Sequence, residues 1–154
     1  MDDPVTAIPA LLHGSKTIAV VGLSSNPDRD SYEVAEYLQQ HGYRVVPVNP
    51  TYAGTRILGE HCYPTLTQAA RALSETSAAP IDIVDCFRRP ESMPDVAEEA
   101  VHIGAKALWM QLGVVNDTAA DIARRAGLAV IMDHCMKIEH SRLLAREARR
   151  AAGH

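Results

Sequence analysis

The 154-residue chain carries three cysteines, Cys62, Cys86 and Cys135, an odd and widely spaced set that excludes a disulfide framework. No apolar run approaches the roughly 18 residues needed to cross a bilayer. No basic-then-apolar leader opens the chain. Together these absences predict the cytoplasm, where thiols stay reduced. There is no excess of positive charge either: the formal net charge is −4. That argues against nucleic acid as the main partner, leaving only local basic clusters drawn from Arg29, Arg56, Arg88 and Arg89. Neither a G-x-S-x-G elbow nor a Walker lysine is present. Asp133-His134-Cys135 with His140 lacks the spacing of a tetrahedral metal site, so no metal is expected. His134 and Cys135 are adjacent, which opposes a Cys–His nucleophile if both lie on a strand.

Hydrophobic residues make up 47% and charged residues 22% of the chain, ordinary values for a globular protein. The length suits one domain over residues 1–154. Five short runs are apolar with little alternation, as strands buried on both faces are: Thr17–Val21, Tyr43–Val48, Ile81–Cys86, Ala107–Leu112 and Leu128–Met132. Helical patterns lie between them. Asp30-Ser31-Tyr32-Glu33 and Thr65-Leu66-Thr67-Gln68 have capping-box spacing. Pro94-Asp95 and Asn116 open two more helices, and the last spans about Met136 to Ala152. This alternation predicts an α/β, doubly wound, mostly parallel five-stranded Rossmann-like sheet with helices on both faces. The long loop from Asn49 to about Pro64, with a short strand at Ile57-Leu58, reads as functional. Trp109, inside the fourth run, reads as core.

The most informative segment is Gly22-Leu23-Ser24-Ser25-Asn26-Pro27, which closes the first run. A buried strand ending in Gly and small polar residues, with a helix starting near Asp30, resembles a phosphate loop built on backbone N–H groups. The dinucleotide pattern G-x-G-x-x-G is not there. The second run ends in neutral Asn49 followed by Pro50, where NAD sites carry an acidic residue for the ribose. In open α/β sheets the ligand lies beyond the carboxyl ends of the strands. Those ends deliver Gly22, Ser24 and Ser25; Asn49-Pro50; Phe87-Arg88-Arg89; Gln111 and Gly113; and Asp133-His134-Cys135. Arg88 offers a planar fork for phosphate oxygens, with Asp85 or Glu91 as alternative partners. Arg29, just before the first helix, is either a ligand contact or part of a salt bridge.

From about Ile18 to Leu143 the chain resembles the small stand-alone coenzyme A-binding proteins, whose Rossmann-like domain is similar to the nucleotide-binding domain of the succinyl-CoA synthetase alpha subunit. The resemblance rests on Val21-Gly22-Leu23-Ser24, Ser31-Tyr32-Glu33-Val34, Gly42-Tyr43 and Pro47-Val48-Asn49-Pro50. It continues through Ile57-Leu58-Gly59-Glu60, Ile81-Asp82-Ile83-Val84-Asp85, Phe87-Arg88, Trp109-Met110-Gln111-Leu112-Gly113-Val114 and Met132-Asp133 to Glu139. It implies coenzyme A with its pyrophosphate near Gly22, Ser24 and Ser25, its adenosine end beside Val48, Asn49 and Pro50, and Phe87, Arg88, Gln111 and Gly113 lining the cleft. Cys86 and His134 depart from the family pattern, and the synthetase's phosphohistidine domain is not matched. The expected function is non-catalytic binding of coenzyme A or an acyl-CoA. The alternatives are an acyl-CoA-handling enzyme subunit needing a partner chain, or a nucleotide-sensing regulator. The oligomeric state, including a homo-oligomer, stays open, as does a mixed disulfide between a cysteine and the coenzyme A thiol.

Overall fold

The computed structural model describes residues 4–153. The elements run in the order α1 (Pro4–Gly14), β1 (Thr17–Val21), α2 (Asp30–Gln40), β2 (Arg44–Val48), β3 (Arg56–Ile57), β4 (Glu60–His61), α3 (Leu66–Glu75), β5 (Ile83–Cys86), α4 (Met93–His102), β6 (Ala107–Met110), α5 (Asp117–Arg125), β7 (Ala129–Ile131) and α6 (Met136–Ala152). Five strands form one parallel sheet in the order β2-β1-β5-β6-β7. This is the doubly wound order 2-1-3-4-5, with its switch point between β1 and β5.

Strand alternation divides the apolar side chains into two cores. Ala19, Val21, Val84, Cys86, Leu108 and Met110 face α3, α4 and α5. Ile18, Val20, Ile83, Ala107, Trp109 and Ile131 face α1, α2 and α6. Trp109 is fully buried, as expected for core, and its Nε1 donates to the His134 carbonyl at 2.9 Å.

The expected runs at β2, β6 and β7 are each trimmed by one or two residues, and three further details differ from the sequence expectation. Helix α1 was not foreseen, because Pro9 sits inside it and its residues are apolar on most sides; Ile8 and Leu12 nonetheless bury onto the sheet. The expected third run starts two residues early, at Ile81 instead of Ile83; Asp82 still bonds through its backbone to Thr17 and Lys106, and its carboxylate accepts from Lys16 N–H (2.8 Å) and Thr17 N–H (3.1 Å), tying down the start of β1. The expected strand at Ile57-Leu58 falls one residue earlier and pairs antiparallel with β4. Leu58 and Gly59 form its turn with φ of 54° and 80°, the two positive angles of a type I′ hairpin.

Candidate functional site

Helix α2 follows β1 on one face of the sheet and α4 follows β5 on the other. The loops leaving these two neighbouring strands therefore part, and a crevice opens between them. Two adjoining hollows occupy it, with Asp30 and Phe87 lining both. A polar hollow of about 590 Å³ is lined by Gly22, Ser24, Asn26, Arg29, Asn49 and Tyr52, among others. A more apolar cleft of about 640 Å³ is lined by Val34, Arg88, Gln111, Leu112, Val114 and Ile138, among others. Eight of the eleven residues singled out from the sequence thus converge: Gly22, Ser24, Arg29 and Asn49 on the polar side, Arg88, Gln111 and Gly113 on the apolar side, and Phe87 between. Ser25, Val48 and Pro50 line neither hollow. The Val48 side chain is core, and its carbonyl accepts the Gly22 N–H at 2.8 Å.

Gly22 is where the chain leaving β1 passes directly against the Phe87–Arg88 segment that follows β5. Its φ is +89°, and a Cβ there would lie 2.5 Å from the Phe87 carbonyl oxygen and 3.2 Å from Arg88 Cδ. Only glycine meets both demands. Beyond it, the phosphate-type loop is not the open row of N–H groups that the sequence suggests. Ser24 N–H donates to Ser31 Oγ, Asn26 N–H to Ser24 Oγ and Asp28 N–H to Asn26 Oδ1, each at 3.0 Å. Arg29 N–H donates to the Asn26 carbonyl. These local bonds fix the loop's shape. The open donors lie one step further on. Helix α2 begins behind Arg29 with no side-chain cap, so the Asp30–Glu33 box does not form. Helix α6 likewise begins behind Cys135 with no side-chain cap. Both uncapped starts border the crevice and present helix-terminal N–H groups and a positive dipole end.

Asn49 is a structural latch as well as a lining residue. Its Nδ2 donates to the Leu23 carbonyl (3.1 Å) and its Oδ1 accepts from Thr51 N–H (3.0 Å). It therefore holds the β1 loop against the 3₁₀ turn Pro50–Tyr52. Arg88 is half-buried and, among the described residues, has no carboxylate within ion-pair distance, so neither Asp85 nor Glu91 occupies it. Arg29 is also unpaired by the same measure. Across the cleft mouth Lys137 of α6 meets Glu33 of α2 at 2.6 Å, an exposed pair that adds little energy but links the two walls.

From the sequence, Asp85 reads only as an alternative partner for Arg88. It is instead fully buried in β5, and its Oδ1 accepts from Gln111 Nε2 at 2.6 Å. Its other oxygen has no partner. Burial pushes its carboxyl up to about 7, against the smaller opposing pull of the Gln111 bond. Its signal was a lone acid inside the apolar run Ile83-Val84-Asp85-Cys86. The apolar wall was also missed: Leu112 and Ile138 are 59% and 43% exposed, apolar residues at a strand end and a helix start. Gly113 N–H is held by Asp133 Oδ1 at 2.8 Å, and His140 Nδ1 lies 2.8 Å from the Tyr37 hydroxyl, so Asp133 and His140 serve separate structures. Of the three thiols, Cys62 and Cys86 are buried, and burial pushes both up; only Cys135 lines the cleft.

The fold is that of an α/β, Rossmann-like protein with an open crevice at its switch point. Residues 16–141 match the family described as CoA binding domain, and the chain belongs to that family. It is 43% identical over 142 residues to YneT, an uncharacterized protein of Bacillus subtilis, covering 92% of this chain and 98% of that one. A solved Thermus thermophilus protein, cell-free ID.343, superposes with a TM-score of 0.80 at 33% identity, over 93% of this chain and 99% of its own. A hypothetical protein from Pyrococcus horikoshii OT3 gives 0.80 at 38% identity, over 91% and 92%.

Proposed function

We propose that the protein binds coenzyme A or an acyl-CoA across the two hollows and performs no chemistry on it by itself. The observation that carries this reading is the pairing of unlike hollows at one switch point. Coenzyme A has a polyanionic nucleotide end and a long pantetheine arm of alkyl segments and amides. The polar hollow, with Arg29 and the open α2 terminus, suits the phosphates. The apolar cleft, walled by Leu112, Val114 and Ile138, suits the arm or an acyl group. Arg88, with no carboxylate partner among the described residues, packs against Gly22 and lines the apolar cleft. The reading of non-catalytic binding rests on Arg88, Gln111 and the helix termini, which bind and orient; of the carboxylate, amine and thiol groups lining the apolar cleft, Glu33 and Lys137 pair with each other, leaving Asp30 and the Cys135 thiol.

Calorimetric titration with coenzyme A, dephospho-coenzyme A and NADH tests the reading. We expect micromolar or tighter coenzyme A binding and weak NADH binding. Arg88→Ala is expected to weaken coenzyme A about tenfold or more, and dephospho-coenzyme A less, if Arg88 meets the 3′-phosphate. Equal losses would move Arg88 to the pyrophosphate. Tight NADH binding without coenzyme A binding would replace the proposal with a nucleotide-sensing role.

A further inference from the structure

The Asp85–Gln111 pair is unexplained by stability. A buried carboxylate with one hydrogen bond is costly, and one of its oxygens is sealed off without any partner. Gln111 is only 3% exposed, yet it lines the cleft. Its Nε2 is spent on Asp85. Its Oε1 has no protein donor and is not among the sealed, unpartnered atoms, so it opens to the cleft. A carboxylate accepts and cannot donate, so it dictates which end of the amide turns toward it.

We propose that Asp85 is a positioning residue that acts through Gln111, fixing it so that the cleft shows its ligand a hydrogen-bond acceptor and selects an N–H group, as in the secondary amides of a pantetheine arm. This rests on the reading that coenzyme A occupies the cleft. It adds which part of the ligand is read there, by which atom, and under what control.

The control follows from the same geometry. When Asp85 takes a proton from solvent it becomes an O–H that needs an acceptor, and the Gln111 amide beside it supplies one by turning over. Gln111 then shows its NH₂ to the cleft, and the ligand N–H loses its acceptor. Burial places this exchange near neutral pH, since the Asp85 carboxyl is raised to about 7. Asp85 is flanked across the sheet by Val20 of β1 and Trp109 of β6, neither of them titratable. Cys86 follows on its own strand, its thiol pushed well up by burial and by Asp85. The charged or titratable groups around the cleft are Asp30 and Glu33 of α2, Arg88 and Arg89 after β5, and Cys135 and Lys137 at the start of α6. Behind them, His134 pairs with Glu139 at 3.3 Å.

Two measurements test the proposal. In the ligand-free protein, the side-chain amide resonances of Gln111, assigned by their loss in Gln111→Met, should shift between about pH 6 and about pH 8 with a midpoint near 7. They should stay still in Asp85→Asn. Dephospho-coenzyme A is then titrated at both pH values, because it lacks the phosphate monoester that itself titrates near 6. With only the charged pair competent, wild-type affinity should fall about tenfold from pH 8 to pH 6. Asp85→Asn and Gln111→Met should each reduce that ratio to about one, and His134→Asn should keep it. A static Gln111 amide, or a wild-type slope that persists in Asp85→Asn or vanishes in His134→Asn, overturns the proposal while coenzyme A binding stands. Absence of any binding, with neither coenzyme A nor its dephospho form taken up, removes the coenzyme A reading and the ligand role of the pair with it.

Discussion

On the α3–α4–α5 face, α3 starts behind Thr65, whose hydroxyl accepts Gln68 N–H, and α5 starts behind Asn116, whose Oδ1 accepts Ala119 N–H. The apolar layer beneath is rich in alanine: Ala69, Ala97, Ala100, Ala119, Ala120 and Ala123 let helices and sheet approach closely. On the α1–α2–α6 face, α2 and α6 start behind Arg29 and Cys135 with no side-chain cap. Among the described residues only this side holds a buried acid, and its helices α2 and α6 wall the crevice. Helix α4 runs on from the 3₁₀ turn Pro90–Ser92 and also lacks a side-chain cap, so the contrast is between α3 and α5, which are capped, and α2 and α6, whose starts leave donors open beside the Gln111 acceptor. A cap contributes about 1 kcal/mol and is easily acquired. Its absence at both crevice-facing termini is therefore better explained by a ligand than by neglect.

The comparison breaks most visibly at Gly22, where the two loops meet. Gly22→Ala forces a Cβ to 2.5 Å from the Phe87 carbonyl at a φ of +89°. We expect a loss of about 3–5 kcal/mol in denaturant unfolding and no measurable coenzyme A binding. Wild-type stability with wild-type binding would show that the close approach of these two loops does not shape the site.

Asp85→Asn should act in the other direction. The Asp85 carboxyl, ordinarily near 3.8, is raised to about 7 by burial, so the folded state disfavours its charge. Below about pH 4 the carboxyl is neutral in both folded and unfolded chains, and the native state keeps its full stability. As pH rises through 7 that contribution is lost. Replacing the acid with a neutral amide should therefore stabilise the protein at about pH 8, by roughly 2–4 kcal/mol, and change little at about pH 4. Urea midpoints at the two pH values measure this. An equal effect at both would mean that packing, not charge, sets the cost. A residue that lowers stability at the pH where it orders the cleft has the profile of a functional group.

The layered fold was legible because β1, β2, β5, β6 and β7 are short apolar runs separated by helix signals, and the Thr65 and Asn116 caps were visible as spacing. Helix α1 was not, since a proline in mid-segment and an unpatterned apolar sequence give no period to read. The rim residues were legible as polar groups at strand ends. Their partners were not. Whether Asp85 meets Arg88 or Gln111 depends on which face of β5 it occupies, and alternation alone does not say which face is the cleft. Similarly, Gly22, Ser24 and Ser25 read as a loop of free backbone N–H donors for a phosphate, whereas the Ser24 N–H is already bonded to Ser31 and the Ser24 and Asn26 side chains shape the loop. Composition indicates that a loop is polar; only three-dimensional neighbours show what its polar atoms are already doing.

The smallest effects sharpen the contrast most cleanly, because they trade stability against binding with opposite signs on the two faces. Asn116→Ala removes the α5 cap and should cost about 1 kcal/mol. It also removes the Nδ2 bond to the Pro90 carbonyl, next to the Arg88–Arg89 segment, so Thr65→Ala is the cleaner variant. Thr65→Ala should lose a similar amount and leave coenzyme A affinity unchanged. Arg29→Asp does the reverse on the other face. It places a capping side chain at the start of α2, which should add about 0.5–1 kcal/mol. The same carboxylate takes the open N–H groups and puts a negative charge in the polar hollow, so coenzyme A should bind at least tenfold more weakly. Thermal melts and titrations of the two variants give four numbers. If Arg29→Asp gained stability and bound coenzyme A as the wild type does, the open terminus of α2 would not be a phosphate contact, and the missing cap would need another cause.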